Sequence, residues 1–246
     1  MKVMFVLWPG VPYTPRQRRK TLLDTCAGKI LRHDVAGLCM NIDDEYSQVK
    51  SPAPKWYKGP AIVATVSAYF TDAQNNENSI DAIRRILTEA GFKVGTYRVE
   101  ESLYSDYGDN THYHKRDWED GVRSPTVLAV TLLTRPKKYP HAEWIRRWHG
   151  KMSPVSERLQ PRARYVRNVV LSHWADSMAF DGIVEEAWPT AEHIRNPYLF
   201  YCADNLFQLI KHMFQMVKVI MQFHQLHKIR TVTMSEYFLK TPERVV

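Results

Sequence analysis

The chain runs twice through one order of elements, and that doubling constrains its fold more than any motif does. Lys2 to Trp8 is a compact apolar run stopped by Pro9-Gly10, which reads as a strand. Arg16 to Leu31 sets Leu22, Leu23, Cys26 and Ile30 at helical spacing. Val35 to Ile42 and the β-branched run Ala61 to Phe70 read as strands, separated by a Pro- and Lys-rich loop at 51–60. Ser79 to Ala90 is an amphipathic helix closed by Gly91, and Phe92 to Leu103 alternates as a fourth strand. The second half repeats the order. Thr126 to Leu133, Tyr165 to Trp174, Ile183 to Trp188 and Ile229 to Leu239 are its strands. Pro140 to about Lys151 and Asp204 to about His227 are its helices.

A β-α-β-β-α-β unit is ferredoxin-like, with four antiparallel strands and helices on one face. The bare face must be covered, and a second such sheet is the natural cover. The expected fold is therefore α+β: two tandem ferredoxin-like units whose antiparallel sheets meet face to face as an α+β barrel. Residues 1–115 form the N-terminal unit and 116–246 the C-terminal one. The repeat lies in the pattern of elements and not in residue identity. The hollow between the sheets is the expected ligand cavity, with the polar linker Ser105 to Pro125 able to lie across its mouth.

Other features narrow the class. Cys26, Cys39 and Cys202 are an odd set with no CxxC pair, which points to reduced thiols and a cytoplasmic protein. The most apolar segment, Leu206 to Leu226, is interrupted by Lys211, His212, Lys218 and His224, so neither a membrane span nor a membrane partner is expected. The net charge of +8 favours anionic partners only in a general way. Between Arg147 and Asn168, Arg162 and Arg164 share a strand phase that Arg167 does not, so they form no nucleic-acid strip, and no nucleic-acid partner is expected. They read either as positive charge at a cavity mouth or as a solvated strand edge.

One stretch carries a resemblance. Thr131-Leu132-Leu133-Thr134-Arg135-Pro136 is a strand ending in a basic residue and Pro. Trp148-His149-Gly150-Lys151-Met152-Ser153-Pro154 is a helix end running into a His-containing turn, and Arg164-Tyr165-Val166-Arg167-Asn168 is the strand that follows. With Asp181-Gly182-Ile183-Val184-Glu185 and Asp204, these residues resemble the EthD family of the dimeric α+β barrel superfamily, over roughly Pro125 to Leu239. The chain departs from that pattern at Met152, where the family commonly carries His. Whether His149 substitutes for it is left open. The resemblance implies cofactor-free chemistry on hydrophobic, carbonyl-bearing small molecules.

The candidate site follows. His149 is placed as a neutral base that removes a proton beside a carbonyl, or as a helix-end His bonded to the last carbonyls. Tyr165 steadies the substrate oxygen or points outward. Glu185 and Glu186 face opposite sides of their strand; Glu186, in phase with Val184 and Trp188, is taken as the one entering the barrel as a base. Trp148, Arg167 and Asn168 complete a binding wall. His112 and His114 line the mouth or chelate a metal; no third ligand is visible, so no metal is expected. The stripe from Asp204 to His227 is core or an oligomer interface, which leaves a homodimer open, and His212, His224 and His227 read as surface or interface residues. The expected function is a cofactor-independent lyase or isomerase that shuttles a proton on a hydrophobic or aromatic carbonyl compound, neutral or anionic. The alternatives are a non-catalytic accessory protein of a catabolic pathway and a haem- or oxygen-dependent barrel monooxygenase.

Overall fold

The structure, a computed structural model, describes residues 1–50, 59–71 and 76–242. The loop expected at 51–60 lies outside the described residues except for its last two positions. The first half contains β1 (Lys2–Pro9), α1 (Pro15–Lys20), a π-helical turn (Thr21–Ala27), α2 (Gly28–Ile30), β2 (Gly37–Ile42), β3 (Ala64–Tyr69), α3 (Glu77–Glu89) and β4 (Phe92–Ser105). The second half contains β5 (Val127–Leu133), α4 (His141–Arg147), a π-helical turn (Trp148–Met152), α5 (Ser153–Leu159), β6 (Arg164–His173) and β7 (Gly182–Trp188). It ends with α6 (Ala191–Arg195), α7 (Pro197–Phe200), α8 (Leu206–Ile220), a short 3-10 turn (Leu226–Lys228) and β8 (Arg230–Lys240).

The eight strands close into one barrel in the order β1-β3-β2-β8-β5-β7-β6-β4. Every neighbouring pair is antiparallel. Each half supplies the same four-strand order, β4-β1-β3-β2 and β8-β5-β7-β6, and the seams are β2 with β8 and β4 with β6. No edge is left open, which removes the usual liability of an unpaired strand.

Two helices differ from expectation. The helix beginning near Pro140 does not stop at Lys151 but continues through the π turn to Leu159. Pro154 lacks the N–H of a regular turn, and the wider turn before it takes up the mismatch, with the Ser153 N–H donating to the Trp148 carbonyl five residues back. The last helix stops at Ile220 instead of near His227. Beyond it the chain folds back, because side chains capture its carbonyls: Trp144 Nε1 donates to Phe223 O at 3.0 Å and Arg147 to Gln222 O at 3.4 Å. Among the described residues no helix is long and apolar enough to cross a membrane.

Residues paired across the ladders share a face, so the register sorts each strand. Met4, Val6, Tyr97, Val130, Ile183 and Met234 pack together inside the barrel, while Val3, Phe5 and Leu7 meet Leu22, Ile30, Ile80 and Ile83 of the helices outside it. Eight strands enclose a space that side chains can fill. The expected hollow between the sheets is therefore corrected: the lumen is packed, partly with a charged network. Lys2 Nζ donates to Glu101 at 2.6 Å, Asn168 at 2.8 Å and Glu185 at 3.1 Å. Asn41 and Asn168 also donate to Glu185, and the Tyr69 hydroxyl donates to Glu101 at 2.6 Å. A second set joins Arg164 to Glu236 at 3.0 Å and to Asp106, with the Tyr107 hydroxyl on the other Glu236 oxygen. Burial opposes charge on Glu101, but the Lys2 ammonium outweighs it and holds that carboxyl down at about 2.

Removing the cation strands the buried Glu185 carboxylate and the half-buried Glu101. Lys2→Met is expected to lower the free energy of unfolding by about 3–5 kcal/mol, measured by urea titration. A loss below about 1 kcal/mol, the scale of a surface pair, would contradict this account of the lumen.

Candidate functional site

The two halves differ in how helices meet the outer face of the sheet. In the first half α3 buries Ile80, Ile83 and Leu87 and packs against β4 and α2. In the second half α8 occupies the equivalent place in the repeat but packs mainly against α5 and the second π turn, burying only Leu209 and Met216. Stacked aromatics occupy one end of that face. Trp144 and Trp148 lie 5.0 Å apart between ring centres, and Trp148 is parallel to Phe223 within 9° at 6.4 Å. Gly182 permits this approach, since a Cβ there would sit 2.8 Å from the Trp148 ring. The space between α8 and the sheet is left as a cavity of about 410 Å³, a size suited to a small molecule.

Its walls are mostly apolar, with Leu133, Val184, Trp188, Met216, Ile220 and Phe223 prominent. Polar groups are few. Thr131 and Thr231 hydroxyls bond each other at 2.8 Å, and the Gln160 amide forms part of one wall. The Tyr165 hydroxyl receives the Trp148 indole N–H at 3.3 Å and shares a bond with Ser153 Oγ at 3.2 Å. Burial pushes the Tyr165 pKa up, so it stays a phenol. Glu186 accepts from the fully buried Arg162 at 2.6 Å; that guanidinium also binds Glu157 and lies 3.8 Å over the Tyr165 ring.

The group with the clearest chemistry is His224, 3% exposed. Its Nδ1 is 3.0 Å from the Thr134 carbonyl. A carbonyl can only accept, so the proton sits on Nδ1 and Nε2 is left as a bare lone pair. Among the described residues nothing bonds that Nε2, and the side chain lines the cavity. Burial, reinforced by nearby His227 and Lys228, lowers the pKa to about 4 despite the opposing pull of the Thr134 carbonyl. The ring is therefore neutral at physiological pH. Trp188, another lining residue, has an indole N–H that is buried with no partner among the described residues.

Of the residues singled out from sequence, the structure brings Trp148, Tyr165 and Glu186 to this one cavity. Glu186 keeps the expected phase with Val184 and Trp188, but that phase faces the helices; Glu185 is the one inside the barrel. Asn168 also points into the lumen, where it holds Lys2 and Glu185. His149 sits on the π turn, half-buried and edge-on to Trp148, outside the cavity lining. Arg167 is bonded to Ser153 and Ser102 and stacks on Tyr104, also away from the lining. His112 and His114 lie in the 106–126 connection; His114 binds the Lys115 carbonyl, and neither lines the cavity. Arg162 and Arg164 do not charge a mouth, because both are buried in ion pairs. Among the described residues no group of three or more His, Cys, Asp or Glu is placed to hold a metal.

Sequence reasoning missed His224, Trp188 and Gln160. A signal for the first existed: His224 falls four residues after Ile220 and seven after Val217, in phase with an apolar stripe where a polar ring needs a reason.

The buried histidines set a pH dependence of stability. His224 is lowered to about 4, and so is His149, by burial and then by the Arg167 charge. Unfolding restores an ordinary value near 6.5, so the unfolded chain takes up protons that the folded one refuses between pH about 6.5 and about 4. Stability is full above that window and falls as pH falls through it. Urea midpoints measured from pH 7 to pH 4 should show the decline, and His224→Gln should make it shallower. An unchanged slope in that variant would contradict the burial of a neutral His224.

No family model matches this chain, and no curated protein matches it. Solved structures do. A crystal structure of an anthrone oxidase-like protein superposes over 100% of this chain and 95% of its own, with a TM-score of 0.53 at 13% identity. A candidate monooxygenase from Fusobacterium nucleatum subsp. nucleatum covers 99% of this chain and 94% of its own, with a TM-score of 0.49 at 9% identity. The likeness to the first is one of fold: this chain shares the α+β barrel architecture of the anthrone oxidase-like protein.

Proposed function

We propose that this protein is a small-molecule enzyme that removes a proton from an activated carbon of an apolar, aromatic, carbonyl-bearing compound held beneath α8, with His224 Nε2 as the base. The observation that carries the reading is the pinned tautomer: Nδ1–H on the Thr134 carbonyl and a buried, unbonded Nε2 on a ring that lines a cavity of otherwise apolar character. The base role thus goes to His224 in place of His149 or Glu186. Glu186 is tied to Arg162 and serves as a fixed negative wall, which disfavours an anionic ligand. The Trp188 indole N–H and the Tyr165 phenol are the donors available to a developing oxyanion. An oxyanion forming near His224 also raises the affinity of that ring for the proton it takes.

Three fates are open to the resulting carbanion. Return of the proton at another carbon is isomerisation, and loss of a leaving group is a lyase reaction, the two outcomes the EthD-like residues suggest. Reaction with dioxygen is a cofactor-free oxidation, the reading that the name of the anthrone oxidase-like neighbour favours. All three begin with the same abstraction, so the test addresses that step. Anthrone in deuterium oxide, followed by proton NMR, should lose its activated hydrogen faster with the protein present. His224→Phe should remove that acceleration, by about 10²–10⁴-fold, with the melting temperature kept. Equal exchange by the variant would contradict the base assignment, and ligand binding without exchange would make the protein a carrier.

A further inference from the structure

The outer face of α8 carries a run of exposed large apolar side chains. Phe207 is 77% exposed and Phe214 70%, and Leu206, Ile210 and Met221 are each more than half exposed. At about 100° per residue these side chains fall in one sector of roughly 120°. Lys211 and Lys218, both exposed and seven residues apart, border that sector on one side, with Gln208 and Gln215 beyond them. Monomeric proteins rarely expose so continuous an apolar stripe without a partner.

We propose that this face of α8 docks on an anionic lipid surface, with Phe207 and Phe214 at the boundary between headgroups and acyl chains and Lys211 and Lys218 against the phosphates. Charge favours this occupant. From Asn205 to Ser235 the chain contains no acidic residue, while Lys211, Lys218 and Lys228 lie within it, and the whole protein carries +8. An amphipathic helix with aromatic and aliphatic residues on one face and Lys at its border is suited to lying in a membrane interface. The helix lies on the surface and does not span it: its 15 residues extend ~22 Å, against a hydrocarbon core of ~30 Å. The charges within Leu206 to Leu226 oppose spanning and leave docking on the surface open. A second copy fits less well, because antiparallel pairing about a two-fold axis sets the Lys211–Lys218 border of one helix against the same border of its mate.

The surface also adjoins the cavity. Met213 and Val217 line it and are 42% and 41% exposed, so the wall over the ligand is itself part of the lipid-facing stripe. An apolar compound dissolved in the bilayer would reach the cavity without crossing water. Docking needs no turnover, so it stands or falls apart from the proton abstraction.

The test is co-sedimentation of the full chain with vesicles of phosphatidylcholine alone and of phosphatidylcholine mixed with phosphatidylglycerol. Binding to the mixed vesicles only is expected, weakening as salt is raised. Phe207→Ser with Phe214→Ser should cost more than about tenfold in partition, and Lys211→Glu or Lys218→Glu at least about fivefold each. These positions are exposed, so the melting temperature should hold. No binding to either vesicle, equal binding to both, or a stable dimer in light scattering that the Phe variants dissolve would overturn the proposal. So would capture of this face by a protein partner in place of lipid.

Discussion

The Lys2 ammonium at the start of β1 reaches Glu101 on β4, Asn168 on β6 and Glu185 on β7. One buried cation thus joins strands of both halves through the middle of the barrel, and Arg164 with Glu236 ties β6 to β8 within the second half. These contacts are costly to desolvate and are tolerated because each carboxylate is bonded several times over. With Met4, Val6, Tyr97 and Met234 packed beside them, the lumen is occupied by the protein itself. A ligand can only be held on the outer face.

Both halves put helices on that outer face, and the difference between them makes the site. Around β1 to β4 the helices descend onto the strands and the layer is continuous core, with Leu22, Ile30, Ile80 and Ile83 meeting Phe5 and Leu7. Around β5 to β8, Trp144, Trp148 and Phe223 occupy one end of the layer, and α8 lies across the rest without filling it. The turn that ends α8 then brings His224 to the cavity with one nitrogen fixed by Thr134. Fold, cavity and candidate base are therefore linked: the same Trp144 bond to the Phe223 carbonyl that stops the helix also sets where the next side chain goes.

The architecture was largely legible in the sequence because its signals are local. Alternation located the strands, and the doubled order of elements gave the four-strand sequence of each half. The side of the strand was not legible. In this barrel both faces of a strand are buried, one by the lumen and one by the helices, so the phase shared by Val184, Glu186 and Trp188 was right while its direction was reversed. Helix ends were harder still. Leu206 to His227 keeps an apolar period with no Gly or Pro to break it, and what stops the helix is a pair of side chains, Trp144 and Arg147, distant in sequence. His224 was misjudged for that reason: a continuous helix sets it on the apolar stripe with Val217 and Ile220, and only the end of the helix at Ile220 brings its ring to the Thr134 carbonyl.

The state of the His224 ring is the point on which the account turns. Labelling histidine with nitrogen-15 and following the ring nitrogens by long-range proton–nitrogen NMR reads tautomer and titration together. The account predicts a neutral ring at pH 7 with the proton on Nδ1, an unprotonated Nε2, and titration at about 4. A proton on Nε2, or an exposed ring titrating near the ordinary 6.5, would contradict it.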